Sequence, residues 1–411
     1  MHNAHRPPRG NRKLMQELNI KVVLDEVRTH GPISQADISR STQLSSGTVT
    51  NIVKILKKRD LVREIGPDRS TGGRNPTLLS LNPEARYVMS ATFFADEITV
   101  AALDLVGRIK KTVKVRPEIE KGQARVFENF ARAADSLFDA LHLDKKDIAG
   151  LGASFEGIID HKRGVVILSN RFGWRNVPVR TLLKKSYGLR IFVEGDGRAM
   201  ALGEYQYGAA KGASNMICVD IDSGIGAAAV LDGRICHGAH SMEGEIGHTL
   251  AVPNGAKCRC GKRGCLEAVA SGSALITQIR QELGKSENLE PRDVDESLPE
   301  HMIARHIFLA AHQGDVFVLR TIRRMGYYLG LAVAGLINYS DPELVVLTGY
   351  MAYESGDVLS NIITEVAREH IVDGKTRTVR IEKGILGENA ALLGAAALVY
   401  QDLFALPLVY P

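Results

Sequence analysis

Three cysteines, Cys258, Cys260 and Cys265, fall within eight residues, and His248 stands ten residues before the first of them. One imidazole and three thiolates make a complete tetrahedral set for zinc. Four protein ligands leave no open position, so such an ion would be structural, at one per chain. Gly261 and Gly264, between the last two cysteines, permit the tight backbone that a small chelate loop needs. The alternative is three reduced thiols in a metal-free loop. Three carboxylates, Glu243, Glu245 and Glu267, lie around this cluster in the sequence. A further acid, Asp196, sits in Val193-Glu194-Gly195-Asp196-Gly197, just past an apolar strand. An acid at that point either takes a proton from a substrate hydroxyl or caps the helix that opens there. Spacing alone leaves both readings open. Cys218 and Cys236 fall in apolar strand contexts and read as buried free thiols.

The elements that must position these residues divide at about residue 80. In the first 80, Leu14, Leu18, Val22, Val23 and Val27 mark one face of a helix that Gly31-Pro32 ends. Ser34, with Asp37 three residues later, caps a short helix to about Thr42. After a tight turn at Gln43-Leu44-Ser45, a second helix buries Val49, Ile52, Val53 and Leu56. This is helix–turn–helix spacing. The outward face of the second helix reads Ser46, Thr48, Thr50, Asn51 and Lys54, short hydrogen-bonding groups and a cation suited to a DNA major groove. Leu61–Gly66 and Thr77–Leu81 flank a glycine-rich wing whose Arg69 and Arg74 are free to enter a minor groove. Beyond Asn82-Pro83, apolar strands alternate with helical patterns, which argues for an α/β body in two lobes of related topology. Val88–Phe94 and Glu97–Asp104 read as paired strands, and so do Met216–Ile221 and Gly226–Leu231. Phe127–Leu141, Phe317–Ile337 and Asn389–Tyr400 read as helices.

Charge follows the same boundary. Residues 1–80 hold fourteen Lys/Arg against seven Asp/Glu, whereas the 411-residue chain as a whole carries +5. A basic head on a slightly acidic body points to a polyanion partner for the head alone. With 45% hydrophobic residues the chain is an ordinary folded protein. No apolar run reaches 18 residues and no apolar core follows the basic N-terminus, so neither a membrane helix nor a secretory signal is expected. Five cysteines, three of them clustered, suit a metal in a reducing cytoplasmic compartment better than a disulfide framework.

Taken together, these residues resemble the ROK family of repressors, uncharacterised reading frames and sugar kinases. Gly244-Glu245-Ile246-Gly247-His248, followed by Cys258-Arg259-Cys260-Gly261-Lys262-Arg263-Gly264-Cys265-Leu266-Glu267, has that family's motif in order and spacing. Gly72–Pro76 and Leu79–Pro83 look like the linker of its DNA-binding branch, and Leu386–Ala390 with Gly394-Ala395-Ala396 is similar to its C-terminal motif. The resemblance implies an α/β fold: a winged helix–turn–helix at 1–80, with wing and linker at 66–82, on a two-lobed, actin-like and ribonuclease H-like sugar-kinase body. The lobes would be 83–195 and 196–411, with the zinc loop at 248–265, the ligand between the lobes and the C-terminal helix returning to the first. It further implies that His248 binds zinc through one ring nitrogen and a sugar hydroxyl through the other. Glu245 and Glu267 would accept sugar hydroxyls, and Asp196 would stand where the kinases have their general base.

The departures from that pattern separate sensor from catalyst. Kinases of the family carry Asp-x-Gly-Gly-Thr on the first strand turn, where backbone N–H groups meet nucleotide phosphates. Here the stretch reads Thr92-Phe93-Phe94-Ala95-Asp96, with no glycine and two phenylalanines that would fill the cradle. Thr348-Gly349-Tyr350 keeps one glycine where the family has two or three. Loss of phosphate clamps removes most phosphoryl-transfer catalysis. Arg171 stands where an asparagine is usual, and so does Gly195. A guanidinium favours an anionic sugar, unless it pairs with Glu156 or Glu194. The expectation is a sugar-responsive transcriptional regulator, a homodimer or homotetramer on double-stranded operator DNA, that does not phosphorylate its effector. An active kinase with a DNA-binding head, and a repressor controlled by a phosphotransferase-system protein, are the alternatives.

Overall fold

The computed structural model describes residues 12–67 and 77–404. Arg69 and Arg74 lie outside the described residues. The chain divides into two compact units. One comprises the residues up to Ala153, Arg180–Phe192 and those from Ala396 onward; the other comprises Ser154–Val179 and Val193–Ala395.

The first unit opens with α1 (Arg12–His30), β1 (Ile33–Ser34), α2 (Gln35–Thr42), α3 (Ser46–Lys58), β2 (Val62–Pro67) and β3 (Thr77–Leu81). Ser34 Oγ accepts from the Asp37 N–H, and Ser45 Oγ from that of Thr48, so both short helices start on satisfied amides. Gln43, between them, takes a left-handed backbone (φ 56°), which turns the chain without glycine. Val49, Ile52, Val53 and Leu56 recur at helical spacing and are buried, with Val23, Val27 and Ile38 buried on the neighbouring helices. At ~1.5–3 kcal/mol for each fully buried aliphatic side chain, this stripe supplies most of what holds three short helices together. The three strands form an antiparallel sheet in the order β1-β3-β2, a winged helix–turn–helix.

The unit continues with β4 (Tyr87–Phe93), β5 (Ile98–Asp104), β6 (Ile109–Val115), α4 (Gln123–Leu141) and β7 (Ile148–Phe155). In the second unit β8 (Ile158–Asp160), β9 (Val165–Ser169) and β10 (Trp174–Val177) make a small antiparallel sheet; the chain returns to the first unit for most of α5 (Val179–Tyr187), which leads to β11 (Ile191–Gly195). The first large sheet has the order β11-β7-β4-β5-β6. After α6 (Asp196–Tyr207) come β12 (Met216–Ile221), β13 (Ile225–Leu231) and β14 (Arg234–Ile235), then α7 (Glu267–Ala270), α8 (Gly272–Gln281), α9 (Glu300–His312) and α10 (Val316–Ser340). The chain ends with β15 (Leu344–Thr348), α11 (Tyr350–Glu354), α12 (Val358–His370), β16 (Arg380–Lys383) and α13 (Ala390–Phe404). The second large sheet has the order β14-β13-β12-β15-β16. Numbered within its own lobe, each sheet runs 3-2-1-4-5, so the two lobes share one topology.

Strands β12 and β15 are apolar over Met216–Val219 and Leu344–Leu347 because both their faces are covered. Ile217, Val219, Val345 and Leu347 face a helical core, while Met216, Cys218, Leu344 and Val346 pack with Ala201 of α6. Two glycines let α6 and α13 meet backbone to backbone. A Cβ on Gly394 would stand 1.7 Å from Ala199 O, and one on Gly203 would stand 2.1 Å from Ala390 O. At its far end α13 fastens the first helix of the chain. Lys21 Nζ donates to Asp402 O at 3.0 Å, Arg28 lies 5.4 Å over the Phe404 ring, and Arg190 pairs with Asp402 at 2.6 Å.

Phe93 corrects one expectation. Its ring is fully buried, 5.3 Å from Phe130 and 6.1 Å from Phe127 of α4. It belongs to the core behind the sheet and does not fill the turn. That turn is closed by its own backbone, Phe94 N–H to Glu97 O at 3.0 Å, with Ala95 and Asp96 at its tip. None of its residues has positive φ.

Candidate functional site

The candidate residues of the body, Arg171, Asp196, Glu245, His248 and Glu267, all belong to the second unit. The long connection between β14 and α7 brings His248, Cys258, Cys260 and Cys265 together, with all ligand atoms within 4.8 Å of one another. Cys258 Sγ lies 3.7 Å from His248 Nδ1, and Cys260 Sγ 3.7 Å from Cys265 Sγ. The edge of a tetrahedron with ~2.3 Å metal–sulfur bonds is about 3.8 Å, so these two pairs stand near the spacing that a zinc ion would require. The backbone is built for it. Gly264 has φ +77°, and a Cβ there would stand 1.8 Å from Val252 O.

The carboxylates around the cluster separate. Glu245 Oε2 lies 3.9 Å from His248 Nε2, the ring nitrogen turned away from Cys258. Glu267 Oε1 lies 3.8 Å from Cys258 Sγ, and its other oxygen packs where a Cβ on Gly224 would stand, 2.7 Å away. Glu243 leaves this group: its carboxyl feels Arg198 and His237 instead.

At the end of β11, Gly195 takes the cap position and Asp196 is the first residue of α6, so the N-cap reading of Asp196 is replaced. Burial, with the charges of Glu156 and Asp222, pushes the Asp196 carboxyl up to about 7. Asp220 is raised as well, by burial and then by Asp222 and Asp196. Arg171 Nη1 lies 3.7 Å from Glu156 Oε1 and 3.5 Å from Ser223 Oγ, and the side chain is half-exposed. Its partner is thus Glu156, one of the two that the sequence offered. Glu194 is engaged elsewhere, by Arg198 and His237.

The turn after β12 is Asp222-Ser223-Gly224, and the crowding of Asp220 and Asp222 against Asp196 is a feature that the sequence reading misses. The signal was present as Asp-x-Asp-Ser-Gly at a strand end. Across this turn, Tyr350 donates its backbone N–H to Asp222 Oδ1 at 2.5 Å and its hydroxyl to Glu300 Oε2 at 2.9 Å. Its ring lies against Gly272, where a Cβ would meet the Tyr350 oxygen at 2.2 Å. Here an aromatic side chain does occupy the space beside a glycine turn.

In the head, Ser46, Asn51 and Lys54 are exposed on α3. Thr48 is held at the cap by Ser45, and Thr50 donates to Gln35 Oε1 at 3.1 Å, which commits its hydroxyl to α2.

A sequence profile of the ROK family matches residues 94–402. The chain belongs to the ROK family. A MarR family profile matches residues 22–70, over the winged helix–turn–helix. Among ROK relatives, the xylose repressor of Bacillus subtilis is 29% identical over 402 residues, covering 95% of this chain and 97% of the repressor. The glucokinase of Halalkalibacterium halodurans is 33% identical over 319 residues, 77% of this chain and 96% of the kinase. A crystal structure of a ROK family transcriptional regulator, a homologue of the E. coli MLC protein, superposes with a TM-score of 0.81 at 27% identity, covering 95% of this chain and 97% of that one. Among the described residues, no helix is long and apolar enough to cross a membrane.

Proposed function

We propose that this ROK protein is a transcriptional repressor that binds operator DNA through its head and a sugar through the second unit, without phosphorylating it. The observation that carries the reading is the pairing of a winged helix–turn–helix with a first-lobe turn that has no glycine and spends its own amide on itself. A phosphate needs free, convergent N–H groups. Tyr350, seated against Gly272 beside the second glycine turn, supports the same conclusion. Full-length similarity to a xylose repressor and to an MLC-homologous regulator supports the repressor assignment.

His248, Cys258, Cys260 and Cys265 would hold one structural zinc, which supplies folding energy and fixes the His248 ring. Glu245, Glu267, Asp196 and the Nε2 of His248 would accept or donate hydrogen bonds to sugar hydroxyls. Asp196, Asp220, Asp222 and Glu156 outnumber Arg171, so the surroundings favour a neutral polyol over the anionic sugar that Arg171 alone implied. Base edges and phosphates would be met by Ser46, Asn51 and Lys54, with the wing arginines Arg69 and Arg74. A homodimer or homotetramer presents two heads to two half-sites.

The test is operator binding by gel shift with a panel of neutral and acidic sugars, alongside ADP release from ATP and magnesium. One neutral sugar should change operator affinity with no ADP formed. Sugar-dependent ADP release that Asp196→Asn abolishes would instead establish the kinase reading, which the 33% identity to a glucokinase keeps in view. Asn51→Ala should weaken operator binding by about 1–3 kcal/mol, and Lys54→Ala should also reduce its salt dependence.

A further inference from the structure

A second cluster of metal-binding side chains lies away from the cysteines. His161, Glu194 and His237 place one ligand atom each within 4.8 Å of one another. Nothing in the sequence pattern announces them: Glu194 and His237 alone are 43 residues apart. His161 follows β8, Glu194 is the penultimate residue of β11, and His237 follows β14 at the start of the loop that carries Glu245 and His248. We propose that these three residues form a cation site for a divalent transition metal ion of the zinc or cobalt kind, separate from the cysteine site.

The carboxylate is prepared for this role. Glu194 is 1% exposed, and its Oε1 is held by Arg198 Nε at 2.7 Å and by the Gly195 N–H at 2.9 Å. That leaves Oε2 fixed and aimed at His237 Nε2, 2.7 Å away. Carboxylate ligands in metal sites are held from behind in this way. Burial alone would raise the pKa of Glu194, but His237 and Arg198 outweigh it and keep the group ionised. Burial, with His237 and Arg198, lowers that of His161, which keeps this imidazole in the neutral form that binds metals.

The charged groups around the cluster are balanced in sign. Glu194 and Glu243 face Arg198, and Lys162 lies on the His161 side. Glu243 keeps a buried oxygen, Oε2, with no hydrogen-bond partner, and it lies close enough to be influenced by His237, Arg198 and Glu194. An acceptor left so is costly unless positive charge comes near it.

The two imidazoles are stacked, with centroids 3.5 Å apart and planes at 19°. Capture requires one ring to turn about its Cβ–Cγ bond, which is a broad, soft torsion. Two imidazoles and one carboxylate suit zinc, cobalt or nickel rather than calcium or magnesium. An ion seated there would tie together three segments of the second unit: the strand leading to Asp196, the loop leading to His248, and the hairpin that precedes Arg171.

The experiment uses the full-length protein loaded with cobalt(II), with metal counted per chain and the absorption spectrum followed through the titration. Two cobalt ions per chain are expected. Only one should carry the intense thiolate-to-cobalt charge-transfer band, since the second site has no sulfur. His237→Ala and, independently, His161→Gln should lower the count from two to one and leave that band intact; Cys258→Ser should reduce the band and spare the second ion. Saturation at one ion, or a second ion that survives both histidine substitutions, would overturn the proposal. The two histidine variants guard against one failing to fold.

Discussion

The two lobes are built to one topology, and the hairpins β4–β5 and β12–β13 occupy the same place in each. The first turns through Phe94, Ala95, Asp96 and Glu97, uses its own amide to close, and leaves Asp96 exposed. The second turns through Asp222-Ser223-Gly224, presents Asp222 to the Tyr350 amide, and leaves at Gly224 a gap that Glu267 occupies. The sheet accepts either turn. The strands therefore specify the scaffold, and the turns specify what chemistry the scaffold carries. In this chain the second turn is lined by the carboxylates of Asp222 and Glu267, whereas the first presents Asp96 to solvent.

The largest expected effect falls on the metal loop of the second lobe. Cys258→Ser should remove the bound zinc and cost at least about 4 kcal/mol of that lobe's stability, read by chemical denaturation with metal counting. A variant that is zinc-free and as stable as the parent would show that the four donors do not hold a structural ion.

A smaller effect belongs to Asp196. Its folded value of about 7 lies above the unfolded value of 3.8, so the native state binds its proton more tightly. The stabilisation is complete below about pH 4 and is lost as pH rises through 7, to a total of at most roughly 4 kcal/mol before screening. Asp196→Asn should flatten that slope in denaturation series at pH 5 and 8. Sugar affinity should move the other way and rise with pH, because a carboxylate accepts hydroxyl hydrogen bonds better than a carboxylic acid. A pH-independent difference between parent and variant would place Asp196 in water.

The smallest effects compare the two turns directly. Gly224→Ala forces the Glu267 carboxylate aside and should cost about 1–3 kcal/mol. Asp96→Gly in the first turn should stay within about 0.5 kcal/mol and create no affinity for ATP. Equal costs, measured by thermal and calorimetric titration, would mean that the two turns are not specialised.

Much of this was legible in the residues. Ser34, Asp37, Gln43 and Ser45 mark the head's helices because caps and turns depend on neighbours in sequence. The strand pair Met216–Ile221 and Gly226–Leu231 reads directly from its largely apolar residues. The cysteine loop is local, and so its donor set was visible. What stayed hidden depends on distant pairing. Phe93 looks like an intruder in a turn, yet strand alternation sends its ring to α4. Thr50 reads as an exposed groove residue until Gln35 claims it. Glu243 sits beside Glu245 in the chain but turns toward Arg198. His161, Glu194 and His237 come from three separate connections and share no spacing rule at all.

The grip of the last helix on the first bears on how the protein can be taken apart. Lys21 and Arg28 rest on Asp402 and Phe404, so the DNA-reading end leans on the opposite terminus of the polypeptide. A fragment ending near residue 82 would leave those two cations without their seat, and trimming the chain from Gln401 would do the same while sparing every residue of the proposed sugar and metal sites. Shortening either end is thus a change to one shared joint.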